Sequence, residues 1–293
     1  MDERVRLSRL RVSRRRALVL GGTVGFAGVL AACATGSDAP STGAVTSTAP
    51  VTDPAALLDV ANTCVLAQEE TQGPYWFDVD SIRSDIREGR PGLTLALALR
   101  VHDLSSCSVG GAVRPVPNSV VEIWHCDAGG VYSGFATVAT SQPPPGRPPG
   151  ASNRRGGEQP GGPAPSGASS DGSYSSGNPD ATPSDDGTYL RGAQAADANG
   201  VVRFTTIYPG WYPGRTTHIH CKVHLDRRTV LTTQLYFDYN LTEEIYRAVP
   251  PYTEHTVRDT RNDTDSIYAD AGMMTTQRSA DGYLAAINLG LDL

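Results

Sequence analysis

His218 and His220 form the sharpest chemical signal in the chain. On a β-strand, residues two apart share a face, so these imidazoles, ~7 Å apart at Cα, can converge on one metal ion. His224 has the same phase but lies ~13 Å farther along, and Cys221 points to the opposite face, so neither is a natural third ligand. A lone pair of this kind is also what two packed or surface histidines look like. The residues just upstream, YPGWYPGRTTHIH (208–220), bring Tyr208, Trp211 and Tyr212 close on Gly/Pro bends. A phenolate is a hard anionic donor suited to Fe(III). Arg215 would stand at the mouth of such a site as a fixed cation. The plainer alternatives are a packed turn aromatic for Tyr212 and a surface ion pair for Arg215. The cupin pattern, with Glu a few residues after the pair and Gly six before it, is not met: Val223, His224 and Leu225 occupy the first window and Tyr212 the second.

The elements that must position these residues read as strands. LTLALALRVHDL (93–104), SVVEIWHCD (119–127), GVVRFTTIYPG (200–210), THIHCKVHL (217–225) and VLTTQLYFD (230–238) are short, rich in β-branched and aromatic residues, and bounded by turn signals. That pattern predicts a mainly β protein built as a sandwich with long loops. Short helices are predicted near 241–248 and 280–287. Residues 141–187 are nearly all Pro, Gly, Ser, Asn, Asp and Arg, which predicts a disordered surface insertion.

The first 33 residues read as an address. An Arg-rich stretch containing Ser13-Arg14-Arg15-Arg16 precedes an apolar run from Ala17 to Ala32, which resembles a Tat-type signal. Leu30-Ala31-Ala32-Cys33 resembles a bacterial lipobox. It predicts lipidation at Cys33 and a lipid-anchored protein on the outer face of the cytoplasmic membrane; an ordinary signal peptide would instead give a secreted one. Residues 34–60 read as a flexible tether, leaving 61–293 as the folded domain. The other four cysteines, Cys64, Cys107, Cys126 and Cys221, are an even number in an exported chain and suggest two disulfides, with three possible pairings.

Charge narrows the partners. The formal net charge is −6, and without the seven Arg and two acids of residues 1–32 it is −11, which argues against a nucleic-acid binder. Lys222 is the only lysine, so Schiff-base chemistry has a single candidate.

Four segments together resemble the intradiol ring-cleavage dioxygenases, specifically their exported bacterial branch: EETQGPYWFD (69–78), VEIWHCDAGGVYSGF (121–135), RGAQAADANGVVRFTTIYPGWYPGRTTHIHCKVH (191–224) and TTQLYFD (232–238). They run in the family's order over roughly residues 64–240. The resemblance implies a transthyretin-like antiparallel β-sandwich holding one Fe(III) per chain on Tyr132, Tyr212, His218 and His220. It implies that Tyr212 leaves the metal when substrate binds while Tyr132 stays, that Arg215 stabilises developing negative charge, and that Gln234 contacts the intermediate. Tyr75 and Trp76 match a segment lining the active-site mouth, although core packing would explain them too. The implied reaction opens a catechol-type ring between its two hydroxyl-bearing carbons with O2, both of whose atoms enter a cis,cis-muconate-type diacid. Two other classes stay open at this stage: a non-catalytic surface sandwich that binds an aromatic or a glycan, and another metalloenzyme built on the histidine pair. The chain lacks the long helical N-terminal region of the cytoplasmic catechol-cleaving members, so their helix-mediated dimer is not implied.

Overall fold

The structure is a computed structural model that describes residues 52–61, 64–105, 107, 114–136, 169–255 and 257–293. The chain divides into two units, Met1–Thr48 and Ala49–Leu293, and every described residue belongs to the second. The expected signal, Cys33, the first part of the tether and residues 141–168 of the insertion lie outside the described residues.

Two main sheets carry the fold. The first joins β1 (Thr94–Asp103) to β2 (Arg114–Pro115), β7 (Val201–Ile207) and β11 (Gly282–Leu291), with β10 (Thr275–Arg278) beyond β11. The second runs β6 (Arg191–Ala195), β3 (Val120–Trp124), β8 (His218–Leu225), β9 (Arg228–Tyr236), all antiparallel. The sandwich is antiparallel except at β1 and β11, which pair in parallel along their whole length. One helix, α1 (Tyr239–Ala248), follows β9; the Asp238 carboxylate caps it by accepting from the Leu241 N–H at 2.9 Å.

Alternation along the strands decides which residues meet. Leu95, Leu97, Leu99 and Val101 of β1 face Val121 and Ile123 of β3 and Ile219, Cys221 and Val223 of β8, closing the main core. The opposite phase of β1 and β11 is covered as well: Leu57 and Leu58 pack on Ala98, Val201, Leu284 and Ala286. β1 and β11 are therefore buried on both faces, and β11 is buried at every residue. This accounts for one difference from the sequence reading. Residues 280–287 were expected to be helical, yet they enter a strand, because burial on both faces removes the polar alternation that marks a half-exposed one. The helix expected near 241–248 is present as α1.

Three further expectations need correction. Residues 54–59, assigned by composition to the tether, form a 3₁₀ turn, because Leu57 and Leu58 cover the outer face of the first sheet and Asn288 donates to the Leu58 carbonyl at 2.9 Å. The end of the insertion is folded rather than disordered: β4 (Ser169–Asp171) and β5 (Ser176–Pro179) make a hairpin that buries Tyr174 beside His224. Small polar residues suffice there because Asp78 and Asp80 accept from Ser175 and Ser173. Of the two expected disulfides, Cys64–Cys107 is formed, whereas Cys126 and Cys221 are free and buried. Cys221 lies in the core between the sheets and Cys126 in the aromatic cluster on the other face of the second sheet, so they cannot meet.

Candidate metal centre

Register places the site on the outer face of the second sheet. Residues directly opposite one another in a sheet share a face. One row crosses all four strands as Arg191, Trp124, His220 and Gln234, and the next pairs His218 with Tyr236. The histidine pair is thus flanked on its own face by Trp124 on one side and Gln234 on the other. The odd-numbered residues of β8, Ile219, Cys221 and Val223, anchor the strand in the core, which holds the even-numbered face in place.

The two tyrosines arrive on loops that lock against each other. Tyr132 follows β3 in a turn organised by Asp127, whose carboxylate accepts from the Gly129 and Val131 N–H groups at 3.0 Å each. Tyr212 lies between β7 and β8. The Gly210 N–H donates to the Asp127 carbonyl at 3.1 Å, and Gly130, at φ +84°, sits so close to the Trp211 carbonyl that no Cβ fits. Tyr246 and Tyr252 donate to the Pro209 and Tyr208 carbonyls at 2.7 and 2.6 Å. Further along, Asp185 accepts from the Gly134 and Ala136 N–H groups at 3.1 and 2.8 Å. The folded part of the insertion therefore braces the tyrosine turn.

Four donor atoms converge. The Tyr132 hydroxyl is 3.1 Å from His220 Nε2 and 3.5 Å from His218 Nε2; the Tyr212 hydroxyl is 3.2 Å from His218 Nε2; the two Nε2 atoms are 3.2 Å apart. His218 Nδ1 faces the Thr216 carbonyl at 2.6 Å, which can only accept, so Nδ1 carries the proton and the Nε2 lone pair points inward. His220 is oriented by stacking on Trp124, with ring centroids 4.8 Å apart and planes at 5°. Gly73 lies over it, leaving 3.3 Å between a would-be Cβ and His220 Cε1.

Two neutral imidazole nitrogens and two phenol oxygens are a donor set that fits a hard trivalent cation. Each hydroxyl can donate to one imidazole, Tyr212 to His218 and Tyr132 to His220, but the two Nε2 lone pairs then face each other 3.2 Å apart with no proton between them. Burial, reinforced by Arg215 for His218 and by His218 for His220, holds both imidazoles well below the usual histidine pKa, in the neutral form that ligates. Burial raises both phenols above the usual tyrosine range. Only a strong positive charge placed among the four atoms would ionise them, which is what a trivalent cation supplies. Among the described residues no group of three or more His, Cys, Asp or Glu could hold a metal, so a centre here needs the tyrosines.

Arg215 and Gln234 meet beside this cluster. Arg215 Nη2 donates to Gln234 Oε1 at 2.5 Å, and its Nε donates to the two Asp265 oxygens at 2.9 and 3.2 Å. Gln234 Nε2 donates to the Thr71 carbonyl at 3.0 Å. Tyr75 stacks on Tyr132 with centroids 4.8 Å apart and is half-buried, consistent with a place beside the site. Trp76 differs from the expectation. It is fully buried against Trp124 and beneath the Lys222 ammonium, 3.3 Å from its ring, so it packs the aromatic cluster and lines no mouth. Lys222 and His224 share the face of the histidine pair, and His224 turns to Glu122 at 3.2 Å. Sequence reasoning missed Asp265, Glu70, Trp124 and Arg191. The last three lie inside the quoted segments and could have been flagged there. Asp265 lies in an irregular stretch that carries no pattern.

No model of a known protein family matches the chain, and no curated protein matches it. Solved structures do. The chain is similar to an intradiol ring-cleavage dioxygenase from Tetranychus urticae, at 27% identity and a TM-score of 0.59, over 78% of this chain and 95% of that one. It is similar to a second solved dioxygenase at 28% identity with the same coverage and TM-score. It also aligns, at 24% identity and a TM-score of 0.48, with the dioxygenase domain of a carbohydrate-binding fusion protein from Streptomyces sp. SirexAA-E. The first two likenesses, to solved dioxygenases, extend over fold and sequence alike.

Proposed function

We propose that this chain is an intradiol dioxygenase that holds one ferric ion on Tyr132, Tyr212, His218 and His220 and opens a catechol-type ring with O2 between its two hydroxyl-bearing carbons. The convergence of two phenol oxygens and two imidazole nitrogens within 3.1–3.5 Å of one another carries the reading. When bound, the ferric ion supplies a Lewis acid that draws electron density from a catecholate and so activates its ring toward O2. The protein's own groups do the rest. His218, fixed by the Thr216 carbonyl, and His220, fixed by Trp124, stay in place as neutral donors. The Tyr212 oxygen would act as the base that takes up one catechol proton. Arg215 keeps a fixed positive charge beside the reacting carbons and stabilises negative charge as it develops on oxygen. Gln234, tied to Arg215 and the Thr71 carbonyl, orients the ring-opening intermediate.

Location is part of the same proposal. The Tat-like signal, the lipobox at Cys33 and the Ser/Thr/Ala/Pro-rich stretch after it support an exported enzyme of the secreted or lipoprotein branch, lipid-anchored outside the cytoplasmic membrane. Replacing Cys33 with Ser should release the protein or leave it unprocessed; a parent that is itself secreted unlipidated refutes the anchor.

The function is tested by oxygen uptake of the iron-loaded protein across a panel of catechols. At least one member should be consumed with one O2 per ring and yield a cis,cis-muconate-type diacid. Iron-loaded protein that consumes none of them refutes the reading.

A further inference from the structure

His218 and His220 are held by different means. A histidine that ligates a metal usually donates its second ring nitrogen to a carbonyl or carboxylate, which fixes the ring. His218 has that partner in the Thr216 carbonyl, 2.6 Å from Nδ1. His220 does not: its Nδ1 is buried and has no hydrogen-bond partner among the described residues. Packing takes the place of that bond. The Trp124 indole, directly opposite on β3, lies parallel to the imidazole with centroids 4.8 Å apart and planes at 5°, and so sets its plane. Gly73 closes on the far end of the ring, where a would-be Cβ stands 3.3 Å from Cε1 and 3.8 Å from Nε2, the donor atom.

Gly73 belongs to a strap, residues 70–76, that is tied down along its length. The Glu70 N–H donates to the Thr232 carbonyl at 2.7 Å, Gln72 Nε2 to the Pro179 carbonyl at 2.8 Å, and the Trp76 carbonyl accepts from the Ala181 N–H at 2.8 Å. The Trp76 side chain is fully buried. Between these anchors the strap meets three residues of the site. The Thr71 carbonyl holds Gln234 Nε2 at 3.0 Å, Gly73 meets His220, and Tyr75 stacks on Tyr132. Gly73 has φ +68°, a left-handed conformation that glycine adopts without strain, and the absent side chain lets the strap approach the imidazole. We propose that the strap 70–76 positions the metal centre from outside, with Gly73 and Trp124 as the positioning residues of His220: together they form a slot that fixes the ring where a hydrogen-bond acceptor would otherwise do so. The inference rests on the ferric site proposed above.

The experiment compares Gly73→Ala with Gly89→Ala by chelator competition for ferric iron, the visible spectrum of the loaded protein, and thermal unfolding of the metal-free protein. Gly89 is exposed, has φ +72°, and has nothing within 4 Å of a would-be Cβ, so its substitution carries the same backbone penalty without the contact. Both variants should unfold below the parent. Gly73→Ala alone should bind ferric iron roughly 10- to 100-fold more weakly, the scale for losing the outer partner of a ligating histidine, and its visible band should move. A second pair separates the indole's flat face from its bulk. Trp124→Leu should show the same weakening, and Trp124→Phe, which keeps a ring against the imidazole, should recover most of it. Parent-like iron affinity and band in Gly73→Ala overturn the inference, as does an equal loss of iron in Gly89→Ala, or a Trp124→Phe no better than Trp124→Leu. A parent that binds no ferric iron overturns the site reading and this inference with it; a parent that binds iron beside an equally tight Gly73→Ala overturns this inference alone.

Discussion

Asp265→Asn is the substitution whose consequences the structure fixes most closely. The Asp265 side chain is fully buried and accepts four hydrogen bonds: two from Arg215 Nε at 2.9 and 3.2 Å, one from the Thr216 N–H at 2.8 Å and one from the Ile267 N–H at 2.9 Å. Asparagine keeps the volume but has one acceptor oxygen. In either amide orientation its NH2 faces a backbone N–H, and the Arg215 charge loses its partner. A charged hydrogen bond of this kind contributes about 1.5–3 kcal/mol, and a buried donor left unsatisfied costs about 1–3 more. The variant should therefore lose about 3–5 kcal/mol of stability, as one-sided removal of a buried pair does. Turnover should suffer separately. Arg215 no longer held by Asp265 cannot keep Gln234 and the fixed charge in register, and a displacement of ~1 Å near a reacting centre costs about 10²-fold in rate. Denaturant unfolding gives the first quantity and oxygen uptake at saturating catechol the second. A variant within 1 kcal/mol of the parent that turns over at the parent rate refutes the clamp.

Arg215→Leu should retain iron and colour yet lose about 10²–10³-fold in turnover, checked by metal analysis beside oxygen uptake. Glu70 gives a pH test: burial pushes its carboxyl from 4.5 up to about 7, so between those values the folded state binds more protons than the unfolded one and stability falls as pH rises. With the group about half exposed, screening leaves about 1 kcal/mol across that window, and Glu70→Gln should flatten the slope in denaturant titrations from pH 4.5 to 7. Removing the Cys64–Cys107 disulfide, whose cysteines are 43 residues apart, should cost up to about 4 kcal/mol of unfolding free energy. The buried Cys126 and Cys221 should resist a thiol reagent until the protein unfolds.

What the sequence made legible follows the range of each interaction. The facing of His218 and His220 on one strand is a period-2 property, and the family's motifs carried Tyr132 and Tyr212 to the same place. Strands exposed on one side announced themselves by alternation. β11 did not, because Leu57 and Leu58 cover its second face, and that cover comes from a segment more than 200 residues earlier in the chain. Composition misjudged residues 169–187 for a related reason. Asp185 and the serines of the hairpin are held by hydrogen bonds to Gly134, Asp78 and Asp80, and composition registers apolar burial but not such bonds. Cysteine parity suggested a second disulfide, but parity cannot tell which face of a sheet a thiol occupies. Asp265 was invisible because a long-range ion pair leaves no local pattern. Trp76 was misplaced by one position of phase: its neighbour Tyr75 lies beside the site while Trp76 turns into the cluster beneath it.

The central claim is a ferric ion on two phenolates and two imidazoles. The visible absorption spectrum of purified protein of known metal content, parent beside Tyr132→Phe, tests it most directly. The parent should hold about one iron per chain and be wine-red from tyrosinate-to-iron charge transfer, and Tyr132→Phe should lose iron or colour, because it removes one of the four donor oxygens and nitrogens. A colourless parent carrying stoichiometric zinc, or a Tyr132→Phe variant with the parent's iron and spectrum, would contradict it.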